Sequence, residues 1–268
     1  MGEIISGGLT AVPGIKAAGV YCGIKKNKKD LALIYSKVPA VGAGVFTTNL
    51  IKAAPVLVSA KNVKGKEARA IVVNSGNANA CSGQRGLKDA ETMVNLTAQA
   101  LNLEPEQVLV ASTGVIGQFL PMDKVEKGIE MAVQALTEDG GTDAAEAILT
   151  TDTIKKETAY TFELSGKKVT IGAAAKGSGM ICPNMATMLA FLTTDVKISK
   201  PLLEKALLDS VKMSYNLITV DGDTSTNDMV LIMANGLAGN PEITEEGEDY
   251  QEFLKALNFV NREMAIQI

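Results

Sequence analysis

The stretch KGSGMICPNMATML, residues 176–189, combines a glycine-rich loop, a proline and an apolar run that begins with one hydroxyl residue, Thr187. Glycines let a backbone come close to a ligand, and the strand predicted after Thr187 can hold a nucleophile in place. A dinucleotide-binding G-x-G-x-x-G pattern would need glycine at position 182, where the chain has cysteine, and the Walker pattern is also unmet. Two interpretations stay open: a plain turn into a core strand, or a loop that presents Thr187 for chemistry.

The segments on both sides of this stretch predict a mixture of strands and helices. Two β-branched runs joined by Ser165-Gly166-Lys167 predict a hairpin before it. Thr142 and Ser199 are predicted to cap the helices that follow them, and Pro121 to open another. The predicted strands are 31–35, 41–47, 55–59, 70–74, 107–111, 158–164, 168–174, 188–193 and 229–234, and helices are also predicted over 87–101 and 251–268.

The composition excludes several classes of function. With 268 residues, 46% of them hydrophobic, the chain can bury a large core as one domain or two. A net charge of −4 argues against a nucleic-acid surface, so the lysine-rich run 25–29 is interpreted as a solvated loop. No apolar run reaches membrane-spanning length. Three widely spaced cysteines indicate neither disulfides nor a metal site, which favours a cytoplasmic protein.

The chain contains no histidine, which removes Ser-His-Asp catalysis, Cys-His catalysis and histidine-ligated metals. A threonine hydroxyl can still act as a nucleophile when its own N-terminal α-amine serves as the base. Thr187 would gain that amine if its hydroxyl attacked the carbonyl of Ala186 and the resulting ester hydrolysed. The alternative is an ordinary threonine at the start of a strand.

Three further polar segments accompany the opening stretch. NSGNANACSG, residues 74–83, predicts a loop that is either a turn cluster or the wall of a polar pocket. In STGVIG, residues 112–117, Thr113 and Gly114 can direct a hydroxyl and a backbone N–H at one oxygen, or simply end a strand. ITVDGDTSTND, residues 218–228, contains three aspartates without the spacing of a calcium loop, which favours a turn beside a site over a metal.

These four segments, in this order, resemble the motifs of the glutamate N-acetyltransferase / ornithine acetyltransferase family of arginine biosynthesis, and the resemblance covers essentially the whole chain. It implies an α/β (α+β) sandwich in which two mixed sheets lie between helical layers. It also implies self-cleavage between Ala186 and Thr187. Residues 1–186 would form an α subunit and residues 187–268 the start of a β subunit, and two of each would associate as a heterotetramer.

The resemblance implies roles for individual residues. Thr187 would be the nucleophile that carries the acetyl group, Thr113 and Gly114 would form the oxyanion hole, and Thr150 and Lys176 would bind the amino-acid substrate together with Thr187. In the implied ping-pong reaction, N2-acetyl-L-ornithine acetylates Thr187, ornithine leaves and L-glutamate takes the acetyl group. Some members of the family also accept acetyl-CoA, which stays open as a second donor. No metal or other cofactor is implied.

The chain ends inside a helical pattern, whereas members of that family continue into a segment with further substrate-binding residues. We therefore expect a piece of a longer protein. Two other functions stay open beside the acetyltransferase. One is a non-catalytic fragment that keeps the fold, and the other is a self-processing amidohydrolase or aminopeptidase of related fold.

Overall fold

The computed structural model describes residues 2–178, 188–219 and 225–268. The predicted cleavage site, Ala186 and Thr187, lies outside these ranges, as do Asp221 and Asp223. The strands are β1 Glu3–Ile5, β2 Ile15–Val20, β3 Leu31–Phe46, β4 Ala68–Asn77, β5 Val108–Val115, β6 Lys156–Leu164, β7 Lys167–Lys176, β8 Leu189–Thr194 and β9 Met229–Ala234. The helices are α1 Ala54–Asn62, α2 Gly83–Leu101, α3 Met122–Gln134, α4 Gly141–Ala147, α5 Lys200–Lys212 and α6 Glu248–Gln267.

Strand β3 belongs to two sheets, because its two halves pair with different neighbours. The half that begins at Leu31 lies antiparallel to β2 and β4, and the half from Val41 to Phe46 lies antiparallel to β9. The register shifts between Tyr35 and Ala40, where the strand passes from one sheet to the other. The smaller sheet has the order β2-β3-β4-β5 and the larger one β1-β6-β7-β8-β9-β3. Both are mixed, since β4–β5 and β8–β9 are parallel pairs.

Three clusters of buried apolar side chains separate four layers. The middle cluster lies between the sheets and joins β3, β4 and β5 to β8 and β9. A second cluster packs the outer face of the larger sheet against α5 and α6, and a third packs the smaller sheet against α2 and α3. Side chains alternate accordingly along β9: Leu231 joins the middle cluster, whereas Val230 and Ile232 face the helices. The predicted sandwich of two mixed sheets between helical layers is confirmed.

The predicted strand 55–59 is wrong, because these residues form helix α1. A short apolar run cannot be assigned by periodicity alone, and Pro55 stands in the first helical turn, where its missing N–H costs no hydrogen bond. Tertiary contacts decide the structure. The hydroxyl of Ser59 donates to the carbonyl of Val110, and the Asn62 amide donates to the carbonyl of Val108, so that the helix lies along β5.

Two predicted caps and one predicted loop are also corrected. Thr142 lies inside the first turn of α4 and its hydroxyl donates to Glu157, because the helix already begins at Gly141. Ser199 stands at the N-terminus of α5, as predicted, but its side chain makes no capping bond. The predicted loop 74–83 is shorter than expected, since β4 extends through Asn77.

The hairpin predicted around residue 166 is confirmed. Ser165 and Gly166 both have positive φ, 48° and 70°, as a two-residue type I′ turn requires. The strand predicted over 229–234 has the bounds of β9, and α3 begins directly after Pro121. None of the helices formed by the described residues is long and apolar enough to cross a membrane.

The middle cluster predicts a large effect of removing one of its aromatic rings. Phe191 is 0% exposed between the sheets, and Phe191→Ala should lower the free energy of unfolding by roughly 3–5 kcal/mol, measured by urea denaturation. Phe119 is 53% exposed and its ring contacts Arg85, so Phe119→Ala should cost about 1 kcal/mol or less. Equal losses in the two variants would contradict a close-packed core between the sheets.

Candidate functional site

Lys176, the last residue of β7, reaches from the larger sheet to the smaller one. Its side chain is 3% exposed, and its Nζ donates to the Oγ1 of Thr113 on β5 over 3.3 Å. It forms no ion pair within the described part of the chain. Burial lowers the pKa of Lys176, although the charges of Asp152 and Asp228 act in the opposite direction. The site therefore contains a buried amine that donates to a hydroxyl group within the described part of the chain.

Gly114 follows Thr113 where β5 lies against the end of β4. It pairs with Gly76, and both glycines have positive φ, 134° and 106°. A Cβ on Gly114 would stand 2.3 Å from the carbonyl carbon of Gly76, so a side chain has no room there. Gly114 is nevertheless exposed, whereas the adjacent Thr113 is buried. The pair predicted to direct a hydroxyl and a backbone N–H thus stands at an accessible strand end.

The asparagines of residues 74–83 hold this strand end together. The Asn74 side chain donates to the carbonyl of Asn77 and accepts from the Ser112 hydroxyl. The Asn77 amide donates to the carbonyls of residues 118 and 119, and the Asn79 amide to that of Gly86. Since these amides are bonded to the protein itself, the segment is a network that supports β4 and β5.

Asp152 connects Thr150 to the end of β7. Its Oδ2 accepts from the backbone N–H of Thr150 at 3.2 Å, and its Oδ1 accepts from the N–H of Gly177 at 2.8 Å and from the Nζ of Lys156 at 2.6 Å. Burial alone would raise the pKa of Asp152, but these bonds and the charge of Lys176 outweigh it and lower the pKa. An ionised carboxylate thus fixes Thr150 close to the residue that follows Lys176.

Asp228 holds the backbone at the start of β8. Its Oδ1 accepts from the N–H of Met188 at 3.0 Å, and the carbonyl of Met188 accepts from the N–H of Met229. Burial raises the pKa of Asp228 to about 8, against the Met188 bond and the charge of Lys176. The neighbouring Asn227 donates its amide to the carbonyl of Ser112, which links this segment to β5.

The structure brings four of the predicted site residues together. Lys176 and Thr113 are in contact, Gly114 is adjacent to Thr113, and Thr150 is joined to the end of β7 through Asp152. No three His, Cys, Asp or Glu side chains in the described ranges are arranged to hold a metal ion.

Sequence reasoning missed two carboxylates. Asp228 was assigned to a turn beside a site, without a role of its own, although an aspartate directly before the apolar run 229–234 is a signal for burial. Asp152 had no such signal. Thr150 and Lys156 are close to it in sequence, but Gly177, the partner that places it beside Lys176, reaches it only in the folded chain.

The sequence matches the profile of the ArgJ family over residues 16–268. The chain belongs to the ArgJ family. It is 54% identical over 269 residues to the arginine biosynthesis bifunctional protein ArgJ of Symbiobacterium thermophilum, covering 99% of this chain and 67% of that protein. It is 56% identical over 261 residues to ArgJ 1 of Clostridium acetobutylicum, covering 97% of this chain and 64% of that protein. The chain thus spans about two thirds of the length of these curated relatives.

Solved ArgJ structures share the fold. The arginine biosynthesis bifunctional protein ArgJ of Bacillus halodurans superposes with a TM-score of 0.65 at 44% identity, covering 69% of this chain and 100% of that one. An ornithine acetyltransferase of Mycobacterium tuberculosis, complexed with ornithine, gives a TM-score of 0.64 at 37% identity, covering 68% and 98%. An aminopeptidase of Ochrobactrum anthropi, described as a variant of the Ntn hydrolase fold, gives a TM-score of 0.60 at 11% identity, covering 97% of this chain and 85% of that one. At this identity the likeness shows the fold alone.

The contact between Gly114 and Gly76 predicts a specific sensitivity to side chains. Gly114→Ala adds a clash with the neighbouring backbone to the strain of a positive φ, and should lower the free energy of unfolding by roughly 2–4 kcal/mol in urea denaturation. Gly117 also has a positive φ, 79°, but its added Cβ would meet nothing within 4 Å. Gly117→Ala should therefore cost only about 1–2 kcal/mol. A smaller loss at position 114 than at position 117 would contradict the close approach.

The raised pKa of Asp228 predicts a pH dependence of stability. An aspartate in an unfolded chain has a pKa of about 3.9, so between that pH and about pH 8 the unfolded state releases this proton first. The contribution of the protonated Asp228 carboxyl to the free energy of unfolding is thus complete below about pH 4 and is lost as the pH rises toward about 8. The amide of Asp228→Asn does not titrate, and the free energy of unfolding of this variant should fall less steeply from pH 5 to pH 8 than that of the wild type. The exposed Asp139→Asn is the control, and parallel curves for wild type and Asp228→Asn would refute the assignment.

Proposed function

We propose that this chain is part of an acetyltransferase of arginine biosynthesis that moves the acetyl group of N2-acetyl-L-ornithine to L-glutamate through Thr187. The observation that carries the proposal is the buried ammonium of Lys176 on the hydroxyl of Thr113, next to the accessible backbone of Gly114. Family membership supports it, because the relatives are arginine biosynthesis bifunctional proteins and one solved relative is an ornithine acetyltransferase complexed with ornithine.

The Lys176–Thr113 contact is suited to stabilising an oxyanion. Lys176 donates to the oxygen of Thr113, so the hydroxyl hydrogen remains available to donate to a ligand. Thr113 and the N–H of Gly114 would then provide the two donors of an oxyanion hole, each of which typically contributes about 10²–10³-fold to the rate. In its protonated form, which the charge of Asp152 favours, Lys176 adds to this effect because burial weakens the screening of its charge by water.

Thr187 would become the nucleophile through self-cleavage. Its hydroxyl adds to the carbonyl carbon of Ala186, the Ala186–Thr187 amide bond breaks, and an ester with a free α-amine on Thr187 results. Water then hydrolyses the ester, which leaves residues 1–186 as the α subunit. The hydrogen bond from the Met188 N–H to Asp228 supports this step, because it fixes the residue covalently bonded to Thr187.

The length of the solved relatives also supports a cut at this position. The complete Bacillus halodurans chain is covered by 69% of this chain, and 69% of 268 residues is about 185. The proposed α subunit has nearly the same length. The corresponding share for the Mycobacterium tuberculosis chain is 68%.

After cleavage, the α-amine of Thr187 would act as the base in both halves of the reaction. In the first half the Thr187 hydroxyl takes the acetyl group from N2-acetyl-L-ornithine and releases ornithine. In the second half the amino group of L-glutamate attacks the acetyl ester, N-acetylglutamate forms and the hydroxyl is regenerated. Thr150 and Lys176 would hold the amino-acid substrate, acetyl-CoA is a second candidate donor, and the enzyme would act in the cytoplasm as two α and two β subunits.

The proposal predicts a defined fragment. Mass spectrometry of the purified wild-type chain should show an 82-residue product that begins at Thr187, since 268 minus 186 is 82. Thr187→Ala lacks the hydroxyl and should remain intact, whereas Thr187→Ser retains a hydroxyl and should still be cut. Wild-type protein that stays intact after prolonged incubation would refute self-cleavage.

The acetyl transfer itself needs a separate assay, because the chain spans only 64–67% of the length of its relatives. Cleavage without transfer from N2-acetyl-L-ornithine to L-glutamate would favour the non-catalytic fragment. Hydrolysis of peptides without transfer to glutamate would favour the aminopeptidase.

A further inference from the structure

The loop between β2 and β3, residues 21–30, is organised around the buried carboxylate of Asp30. Its Oδ1 accepts from the N–H of Cys22 at 2.7 Å, and its Oδ2 accepts from the N–H groups of Gly23 at 3.1 Å and Lys25 at 2.8 Å. Three bonds to one carboxylate give the loop a defined path. The predicted solvated loop is observed at residues 26–28, which are exposed, whereas Lys25 is half-buried and its backbone is fixed.

The side chain of Lys25 extends from Gly76, beside the candidate oxyanion hole, to the loop that carries Thr150. Its stem lies over Gly76, where a Cβ would stand 2.8 Å from the Cγ of Lys25, and Gly76 is the residue paired with Gly114. Its Nζ donates to the carbonyl of Leu149 at 2.7 Å. That carbonyl belongs to the peptide bond between Leu149 and Thr150. Lys25 thus contacts the residues directly beside two that are proposed to act on the substrate, Gly114 and Thr150.

The lysines around this site differ in whether they form an ion pair with a described carboxylate. Lys156 is paired with Asp152 at 2.6 Å, whereas neither Lys25 nor Lys176 forms an ion pair with any described residue. Asp30 lies close to Lys25 in sequence but is occupied by three backbone N–H groups. Only one of the three Nζ donors of Lys25 is used within the described ranges, by the carbonyl of Leu149. A half-buried ammonium with free donors favours a carboxylate ligand.

We propose that Lys25 binds the α-carboxylate of the amino-acid substrate on the Thr150 side of the site. The inference rests on the proposed function, in which Thr150 and Lys176 hold the amino-acid substrate, and it adds a partner for one group of that substrate. N2-acetyl-L-ornithine, ornithine and L-glutamate share the α-carboxylate and differ in their side chains. One fixed cation beside Thr150 can therefore hold both substrates of a ping-pong reaction in the same orientation toward the nucleophile.

The test compares two ligands that differ only at this group, L-ornithine and L-ornithinamide, in which a carboxamide replaces the α-carboxylate. Dissociation constants are measured by calorimetry for wild type, Lys25→Met and Lys26→Met. Methionine keeps an unbranched stem over Gly76 and removes the charge. Lys25→Met should bind L-ornithine roughly 10- to 100-fold more weakly and should bind L-ornithinamide as the wild type does. Lys26 is exposed, and Lys26→Met should leave both constants unchanged.

Each other outcome overturns the inference in a recognisable way. An equal loss for both ligands in Lys25→Met would assign Lys25 a structural role through Leu149. Unchanged binding of L-ornithine in this variant would show that the carboxylate is held elsewhere. Wild-type protein that binds neither ligand would contradict the proposed substrate class and the inference together, and is thereby distinguished from a failure at Lys25 alone.

Discussion

The contact between Lys176 and Thr113 is the interaction on which the site depends, because it joins the two sheets. Lys176 ends β7 in the larger sheet, and Thr113 lies on β5 in the smaller one. Burying an ammonium without a carboxylate partner is unfavourable, so the packing of the sheets must offset that cost. The middle cluster, which includes Phe191, packs between the two sheets that carry these side chains. Stability of the core and chemistry of the site are therefore coupled.

Two buried aspartates near Lys176 differ in protonation because they have different donors. Asp152 accepts bonds from two backbone N–H groups and from Lys156, and these lower its pKa despite burial. Asp228 accepts bonds from the N–H of Met188 and from the side chain of Ser225, but burial outweighs them and raises its pKa to about 8. Near neutral pH, Asp228 is therefore largely protonated, whereas Asp152 is ionised and forms an ion pair with Lys156. The charge of Asp152 favours the protonated form of Lys176, against the effect of burial on that amine.

The parts of the structure that follow from local rules could be predicted from the sequence. The type I′ hairpin at Ser165 and Gly166, strand β9 and the helix after Pro121 depend on turn chemistry, alternation and proline geometry. The α1 helix could not be predicted, because its polar contacts to β5 decide between helix and strand. The family resemblance implied roles for Thr113 and Lys176, but the positions of Asp152 and Lys25 at the site depend on partners far away in sequence, Gly177 and Leu149.

The strand order explains how the two proposed subunits could remain together after a cut before Thr187. Strand β8, in the second segment, is hydrogen-bonded along its length to β7 of the first segment, with Leu189 opposite Lys176. Strand β9 of the second segment pairs with the second half of β3. The second segment therefore contributes two adjacent strands to the middle of the larger sheet, and all residues of both strands are buried. Breaking one peptide bond removes none of these contacts. Separation would expose the apolar faces of β8 and β9 on both sides, which is strongly unfavourable in water.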